Sequence, residues 1–140
     1  MEESFLLNVK QEMPPWVAKI HAAQVADGSR EVYEQFIGEL LARIPDPCNL
    51  IDVVCGTGHI CELLATRLPQ AEVVGVDLSD TLIDIARQKR ENLSFEVDNV
   101  LALRFKGEPY DVAISVNSIK AWPDRQLGIN QMTRVIRSGG

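Results

Sequence analysis

The residues best suited to hold a ligand form a short glycine turn and an acid that follows it. Gly56 and Gly58 come directly after an apolar run, and glycine lets the backbone bend sharply and approach a ligand without interference from a Cβ atom. A helix that begins near Gly58 would present free N–H groups and the positive end of its dipole. Asp77 ends the next apolar run, where a carboxylate can accept hydrogen bonds from the two hydroxyls of a ribose. The pattern favours a site for an adenosine-containing cofactor over a purely structural turn.

Asp77 has a structural alternative, because a carboxylate at the end of a strand can also cap the helix that follows. Ser79 and Asp80 stand at the start of that predicted helix and can themselves serve as its cap. Asp77 is therefore predicted to bind a ligand.

Short apolar runs alternate with amphipathic helical segments from residue 49 onward. The predicted strands lie at 50–54, 71–76, 93–97 and 111–116, and a last helix is predicted from Asp124 to Ile136. Such alternation implies right-handed crossovers and a parallel sheet with helices on both faces. The predicted fold class is α/β, a Rossmann-like doubly wound parallel sheet. Ligands of such sheets bind at the carboxyl ends of the strands, where the glycine turn and Asp77 are expected.

The chain divides into two predicted parts, an N-terminal helical lid at residues 1–47 and a cofactor-binding core at 48–140. Within the first part, Val17 and Ile20 share one helical face. A second helix carries Phe36 and Leu40 at helical spacing, with Ser29 as its cap.

Composition and charge limit the classes of protein to which the chain can belong. The 140 residues fit one domain, and 46% hydrophobic with 24% charged residues is typical of a globular protein. A net charge of −6 argues against a broad nucleic-acid interface, and no apolar run has the length of a membrane span. Three cysteines, two of them in predicted core elements, favour reduced thiols and a cytoplasmic location. The spacing of Cys55, His59 and Cys61 matches no metal-binding pattern, so no metal is expected.

The third position of the glycine motif separates two classes of cofactor. A dinucleotide-binding turn needs a third glycine that allows the helix to pack closely on the strand, and Cys61 stands there. An acid, Asp52, lies inside the first predicted strand. Together with Gly56 and Gly58, it resembles the first motif of the class I S-adenosylmethionine-dependent methyltransferases.

The resemblance continues in order along residues 48–140. Asp77-Leu78-Ser79 is similar to the ribose-binding acid and helix start of this family. The segments at 95–99, 110–115, 118–124 and 134–140 resemble its later motifs, and the loop at 118–124 is most like that of small-molecule members. The ordered set is more specific than any of its parts.

The resemblance implies S-adenosyl-L-methionine as the cofactor and a small molecule as the methyl acceptor. The glycine turn would lie against the methionine and ribose, Asp77 would hold the ribose hydroxyls, and the backbone near Ser115 would meet the methionine amino group. Asp98 and Asn99 would border the adenine, and Asp52 would support the first loop. No catalytic residue is implied, because the sulfonium donor is already activated and the protein mainly aligns the acceptor. The cofactor-binding positions implied are Asp52, Cys55, Gly56, Thr57, Gly58, Asp77, Leu78, Asp98, Asn99 and Ser115.

The sequence departs from the family pattern at two positions and at its end. Val54 stands where the family usually has its first glycine, and Val97 where a glycine often precedes Asp98. Val54 fits the motif if it keeps strand conformation, with its side chain narrowing the space near the methionine. The family has seven strands in the order 3-2-1-4-5-7-6, and only the first four are predicted here. We therefore expect either a fragment or a fourth-strand edge covered by another chain, with a homodimer as the hypothesis.

Three alternatives stay open at this point. The first is a catalytically silent cofactor-binding or assembly module of the same fold. The second is an NAD-dependent oxidoreductase, against which Cys61 argues. The third is a purely structural α/β domain, in which Asp77 and Asp98 would be incidental.

Overall fold

A computed structural model of the chain describes residues 30–45, 48–107, 109–116 and 118–139. The described part begins with a helix and then alternates strands with helices. Its elements are α1 (Arg30–Leu41), β1 (Asn49–Val53), α2 (His59–Arg67), β2 (Glu72–Asp77), α3 (Asp80–Lys89), β3 (Ser94–Val97), β4 (Val112–Ile114), a 3-10 turn (Ile119–Ala121) and α4 (Arg125–Arg134). The predictions for Val17, Ile20 and Ser29 lie outside the described residues. No helix in the ranges described is long and apolar enough to cross a membrane.

The four strands form one parallel sheet in the order β3-β2-β1-β4. This confirms the predicted Rossmann-like fold and its strand order. β1 lies inside the sheet, with Ile51 paired to Val74 of β2 and to Ala113 of β4. Its residues from Leu50 to Val53 are almost completely buried, as is typical of a parallel strand covered on both faces.

The core lies in two layers because neighbouring residues of a strand point to opposite faces of the sheet. On one face, Leu50 packs in a cluster supplied by helices α1, α2 and α3. On the other face, Ile51 and Val53 pack in a cluster that includes Trp122 and Val135. Burial on both sides holds β1 in place and so defines where its carboxyl end emerges.

The helix ends are set by local hydrogen bonds. The Ser79 hydroxyl accepts a hydrogen bond from the N–H of Leu82, which confirms Ser79 as the cap of α3. The prediction that the last helix reaches Ile136 was wrong, because α4 ends at Arg134 and Ile136 forms a parallel bridge with Tyr110. Backbone pairing with Tyr110 therefore replaces the last helical turn.

Candidate functional site

The glycine turn connects β1 to α2 through two residues of left-handed conformation. Gly56 has φ of 60° and Gly58 has φ of 82°, a region that favours glycine. The N–H of Gly58 donates to the carbonyl oxygen of Cys55 at 3.1 Å and closes the turn. A Cβ atom at Gly58 would also overlap the ring of Phe95, so both conformation and space require glycine there.

We expect Gly58→Ala to destabilise the fold by roughly 2 kcal/mol or more, because it adds backbone strain and a steric clash in one step. The matched control is Gly38→Ala, at an exposed position of α1 with open space around it. That change should stabilise the protein by roughly 0.5–1 kcal/mol, as alanine does inside a helix. Urea unfolding measures both, and a Gly58→Ala variant as stable as wild type would contradict the described turn.

Asp77 joins the glycine turn to the turn that follows β2. Its Oδ2 accepts a hydrogen bond from the N–H of Gly56 at 2.9 Å, and its Oδ1 accepts one from the N–H of Ser79 at 2.9 Å. The residue is 5% exposed. Each carboxylate oxygen has a second lone pair, so these two bonds leave acceptor capacity for a ligand.

Asp98 organises the loop after β3. Its Oδ1 accepts from the N–H of Asn99 at 2.8 Å and its Oδ2 from the N–H of Arg104 at 3.1 Å. The Asn99 side chain in turn accepts from the N–H of Leu101. The backbone N–H of Asp98 donates to the carbonyl of Asp77, so this loop begins directly beside the end of β2.

A narrow cavity lies between these loops at the carboxyl ends of the strands. It holds about 20 Å³, room for roughly one water molecule. Four of the predicted site residues, Asp77, Leu78, Asp98 and Asn99, line it. Its remaining lining comes from Val54, Val100, Ala121, Trp122 and Pro123. The other predicted residues do not line it: Asp52, Cys55, Gly56, Thr57, Gly58 and Ser115.

The loop after β4 is fastened to the end of β1 by a chain of hydroxyl groups. Ser115 Oγ donates to the carbonyl of Val53 at 2.6 Å and contacts the hydroxyl of Ser118. The indole Nε1 of Trp122 donates to Ser118 Oγ at 3.2 Å. A Cβ atom at Gly128 would overlap the Trp122 ring, so α4 packs closely on it. Trp122 both anchors the loop and walls the cavity.

Val54 does not keep the strand conformation on which its fit to the motif depended. β1 ends at Val53, and Val54 has φ of 64°, a left-handed conformation that is strained for a β-branched residue. The cause is the next residue, since the N–H of Cys55 donates to the carbonyl of Val76 and holds the turn against β2. The Val54 side chain packs partly on the core and faces the cavity.

Val54→Gly should change the free energy of unfolding by less than about 1 kcal/mol, because relief of strain offsets the lost packing. Val53→Gly is the matched control, since Val53 is fully buried in unstrained strand. We expect it to cost about 3 kcal/mol from lost burial and from glycine within a strand. Chemical denaturation measures the free energy of unfolding of both variants and should show a much larger loss for Val53→Gly. Equal losses of stability in the two variants would argue against strain at Val54.

Asp52 and two cysteines form a buried polar group beneath the turn. Asp52 is 2% exposed, and the thiol of Cys61 donates to its Oδ2 at 3.6 Å. Burial raises the pKa of Asp52 to about 7, the bond from Cys61 lowers it in part, and the charge of Asp77 raises it further. For Cys61, the hydrogen bond with Cys55 and then burial raise the pKa well above its usual value.

The pKa of the Cys55 thiol is also raised. Its bond with Cys61 lowers its pKa, but burial and the nearby acids outweigh that effect and the net shift is upward. Both thiols are therefore neutral near pH 7, and neither is poised as a nucleophile.

Helix α1 packs on the helix that starts the site. The Tyr33 ring lies 5.8 Å from that of His59, and Tyr33 is buried in the core. Arg67 at the end of α2 pairs with Glu34 at 2.7 Å. Arg90 was missed from sequence, although it contacts Thr57 in the glycine turn; an arginine at a helix end gives no signal of such a distant partner.

The comparisons with known proteins agree on one family. A sequence profile described as a methyltransferase domain matches residues 50–140. The trans-aconitate 2-methyltransferase of Variovorax paradoxus is 34% identical over 105 residues, which cover 73% of this chain and 40% of that protein. The demethylmenaquinone methyltransferase of Deinococcus radiodurans is 32% identical over 98 residues, which cover 67% of this chain and 41% of that protein. The chain thus spans about two fifths of the length of these relatives.

A solved structure shares the fold at lower sequence identity. It is a protein from Methanococcus maripaludis assigned to the S-adenosyl-L-methionine-dependent methyltransferases. The two superpose with a TM-score of 0.85 at 18% identity, over 92% of this chain and 62% of that one. Similarity at this level of identity shows the fold alone.

Proposed function

The chain belongs to the methyltransferase domain family, and we propose that it binds S-adenosyl-L-methionine and serves in methyl transfer to a small-molecule acceptor. The observation that carries the proposal is the convergence of acidic and amide side chains at the carboxyl ends of the strands. Asp77, Asp98 and Asn99 come from two different loops and line the same cavity beside the glycine turn. A nucleoside needs polar groups in this arrangement, and in such sheets the ligand lies at this edge.

Each predicted site residue has a place in this proposal. Asp77 binds the ribose hydroxyls with its remaining lone pairs, and Leu78 packs beside them. Asp98 and Asn99 border the adenine, since they line the same cavity one strand further out. The turn residues from Cys55 to Gly58 lie against the methionine and ribose, with Asp52 below them and the Ser115 backbone opposite.

The bound cofactor supplies a methyl group already activated by the positive charge of its sulfonium. The chain's own contribution is to orient the acceptor and to exclude water. Trp122 suits the second task, because it is buried and fixed at the cavity wall by Ser118. Both relatives are named for small organic acceptors, which supports a small molecule here.

The nicotinamide alternative is disfavoured by the contact between α2 and β1. A third glycine would be needed where Cys61 is fully buried, and its thiol bonds to Asp52 of β1. The silent module is a second candidate, and one observation favours it. Val54 faces the cavity from a strained turn and leaves it little free volume.

Two further parts of the proposal concern the oligomeric state of the protein and its location in the cell. In the described sheet β4 pairs with β1 alone, although Tyr110 just before it bridges to Ile136, and the edge of β4 that stays open supports a homodimer through β4. Light scattering tests it, and a monomer at high concentration would count against it. Cys55 and Cys61 are thiols that form no disulfide, as is usual in a reducing compartment, which supports a cytoplasmic location. An N-terminal lid at residues 1–47 likewise stays a prediction.

The test of the function is transfer of an isotope-labelled methyl group from S-adenosyl-L-methionine to a panel of small carboxylic acids and quinols. Asp80→Ala serves as the matched control, because Asp80 is exposed and, among the residues that the structure describes, accepts hydrogen bonds from its neighbour Thr81 alone. We expect labelled product from wild type and from Asp80→Ala, and none from Asp77→Ala. Tight cofactor binding without transfer to any acceptor would favour the silent module.

A further inference from the structure

Arg90 follows the last residue of α3 and extends its side chain to the glycine turn. Its Nη1 donates to the carbonyl oxygen of Thr57 at 2.9 Å. Its Nε and Nη2 contact Oε2 of Glu62, in the first turn of α2, at 2.9 and 2.8 Å. The Arg90 side chain is only 11% exposed. One planar guanidinium thus holds the backbone of the turn and the start of α2 together.

The stem of Arg90 also lies against the turn. A Cβ atom added to Gly58 would come 3.5 Å from Arg90 Cδ, on the side where it would also meet Phe95. Gly58 is therefore enclosed by the arginine stem and the aromatic ring. Its position and that of Thr57 depend on where these two side chains lie.

The half of the turn that Arg90 contacts has little other side-chain support. Asp77 holds Gly56 in the first half. Gly58, which caps α2, has no side chain with which to bond the helix N–H groups. A charge-assisted bond to the Thr57 carbonyl supplies a fixed point for this second half.

We infer that Arg90 is a positioning residue that holds Thr57 and Gly58 in the conformation that binds the cofactor, an inference that rests on the proposed function. It acts through the backbone of the turn and touches no reacting atom. Its effect falls on ligand affinity and on the local opening of the turn. The free energy of unfolding should change no more than it does when the pair of Arg67 and Glu34 on α2 is removed.

The test compares Arg90→Ala with Arg67→Ala, which removes the exposed pair with Glu34 at the other end of α2. Titration calorimetry with S-adenosylhomocysteine gives affinity, and amide hydrogen exchange in the unliganded protein follows the Gly58 N–H. Arg90→Ala should weaken binding about tenfold or more and speed Gly58 exchange similarly, the scale expected for one charge-assisted hydrogen bond. Arg67→Ala should change neither quantity. Arg90→Lys keeps the charge and the apolar stem but lacks the planar guanidinium with its several donors. Its affinity and its Gly58 exchange rate should therefore lie between those of wild type and Arg90→Ala.

Unchanged affinity and unchanged Gly58 exchange in Arg90→Ala would overturn the inference. Equal changes in Arg67→Ala would do so too, since they would show a general effect of loosening α2. If Arg90→Ala fails to fold, Arg90→Lys carries the same comparison. A wild-type chain that binds no S-adenosylhomocysteine would refute the proposed function, and the exchange of Gly58 would still decide the role of Arg90.

Discussion

Asp77→Ala is expected to weaken binding of S-adenosylhomocysteine by more than a hundredfold, the largest effect on ligand affinity in this chain. Two ribose hydroxyls would lose a charged acceptor, and each such bond contributes roughly 1.5–3 kcal/mol. The change also releases the N–H groups of Gly56 and Ser79 that the carboxylate holds. Calorimetric titration of the purified variant measures the loss.

Asp77→Asn and Asp80→Ala complete this experiment. The asparagine variant keeps the size of the side chain and one acceptor oxygen, so an intermediate affinity with an intact fold is expected. Asp80→Ala removes an exposed acid nearby and should bind as wild type does. A folded Asp77→Ala protein that binds within about threefold of wild type would remove Asp77 from the site, because a lost charge-assisted bond costs more than that.

Asp52→Asn is expected to give the largest change in stability, and the change should depend on pH. The folded protein holds the Asp52 proton with a pKa of about 7, against an ordinary value of 3.8. The contribution of Asp52 to stability is therefore fully present below about pH 4. It is lost as the pH rises towards 7, because the unfolded chain ionises in this range while the buried carboxyl holds its proton. Between these two pH values, the free energy of unfolding loses on the order of 4 kcal/mol through Asp52. An asparagine stays neutral and avoids this loss.

Urea unfolding at about pH 4, 6 and 8 measures this effect. The free energy of unfolding of Asp52→Asn relative to wild type should rise with pH and level off above about 7. Asp84→Asn is the control, because Asp84 lies exposed on α3 and its relative stability should stay nearly constant. A constant difference for Asp52→Asn as well would mean that the buried carboxyl does not titrate in this range.

The strands could be predicted because burial leaves a strong pattern in sequence, whereas their order in the sheet was implied by the family resemblance. A parallel strand covered on both faces reads as an apolar run, and β1 is such a run interrupted only by Asp52. Asp77 could be predicted for a related reason, whereas Asp98 was implied by the family resemblance. Asp77 and Asp98 stand where strands β2 and β3 end, and the carboxyl ends of parallel strands meet at one edge.

The conformation of Val54 could not be predicted, because no local preference of valine indicates it. β-branched residues favour strands, yet the bond from Cys55 to β2 and the bond from Gly56 to Asp77 bend the chain one residue earlier. The role of Arg90 was missed for a similar reason. Its contact with Thr57 joins residues far apart in sequence, and only the packing of α3 beside the turn brings them together.

Calorimetric titration of the 140-residue chain with S-adenosylhomocysteine, with NAD as the control ligand, tests the central claim most directly. Saturable one-site binding of S-adenosylhomocysteine and no binding of NAD is the predicted result. It would establish the cofactor class and show that the loops of β1 to β4 form a working site. A folded chain that binds neither ligand, or binds NAD alone, would contradict the assignment of Asp77, Asp98 and the glycine turn to this cofactor.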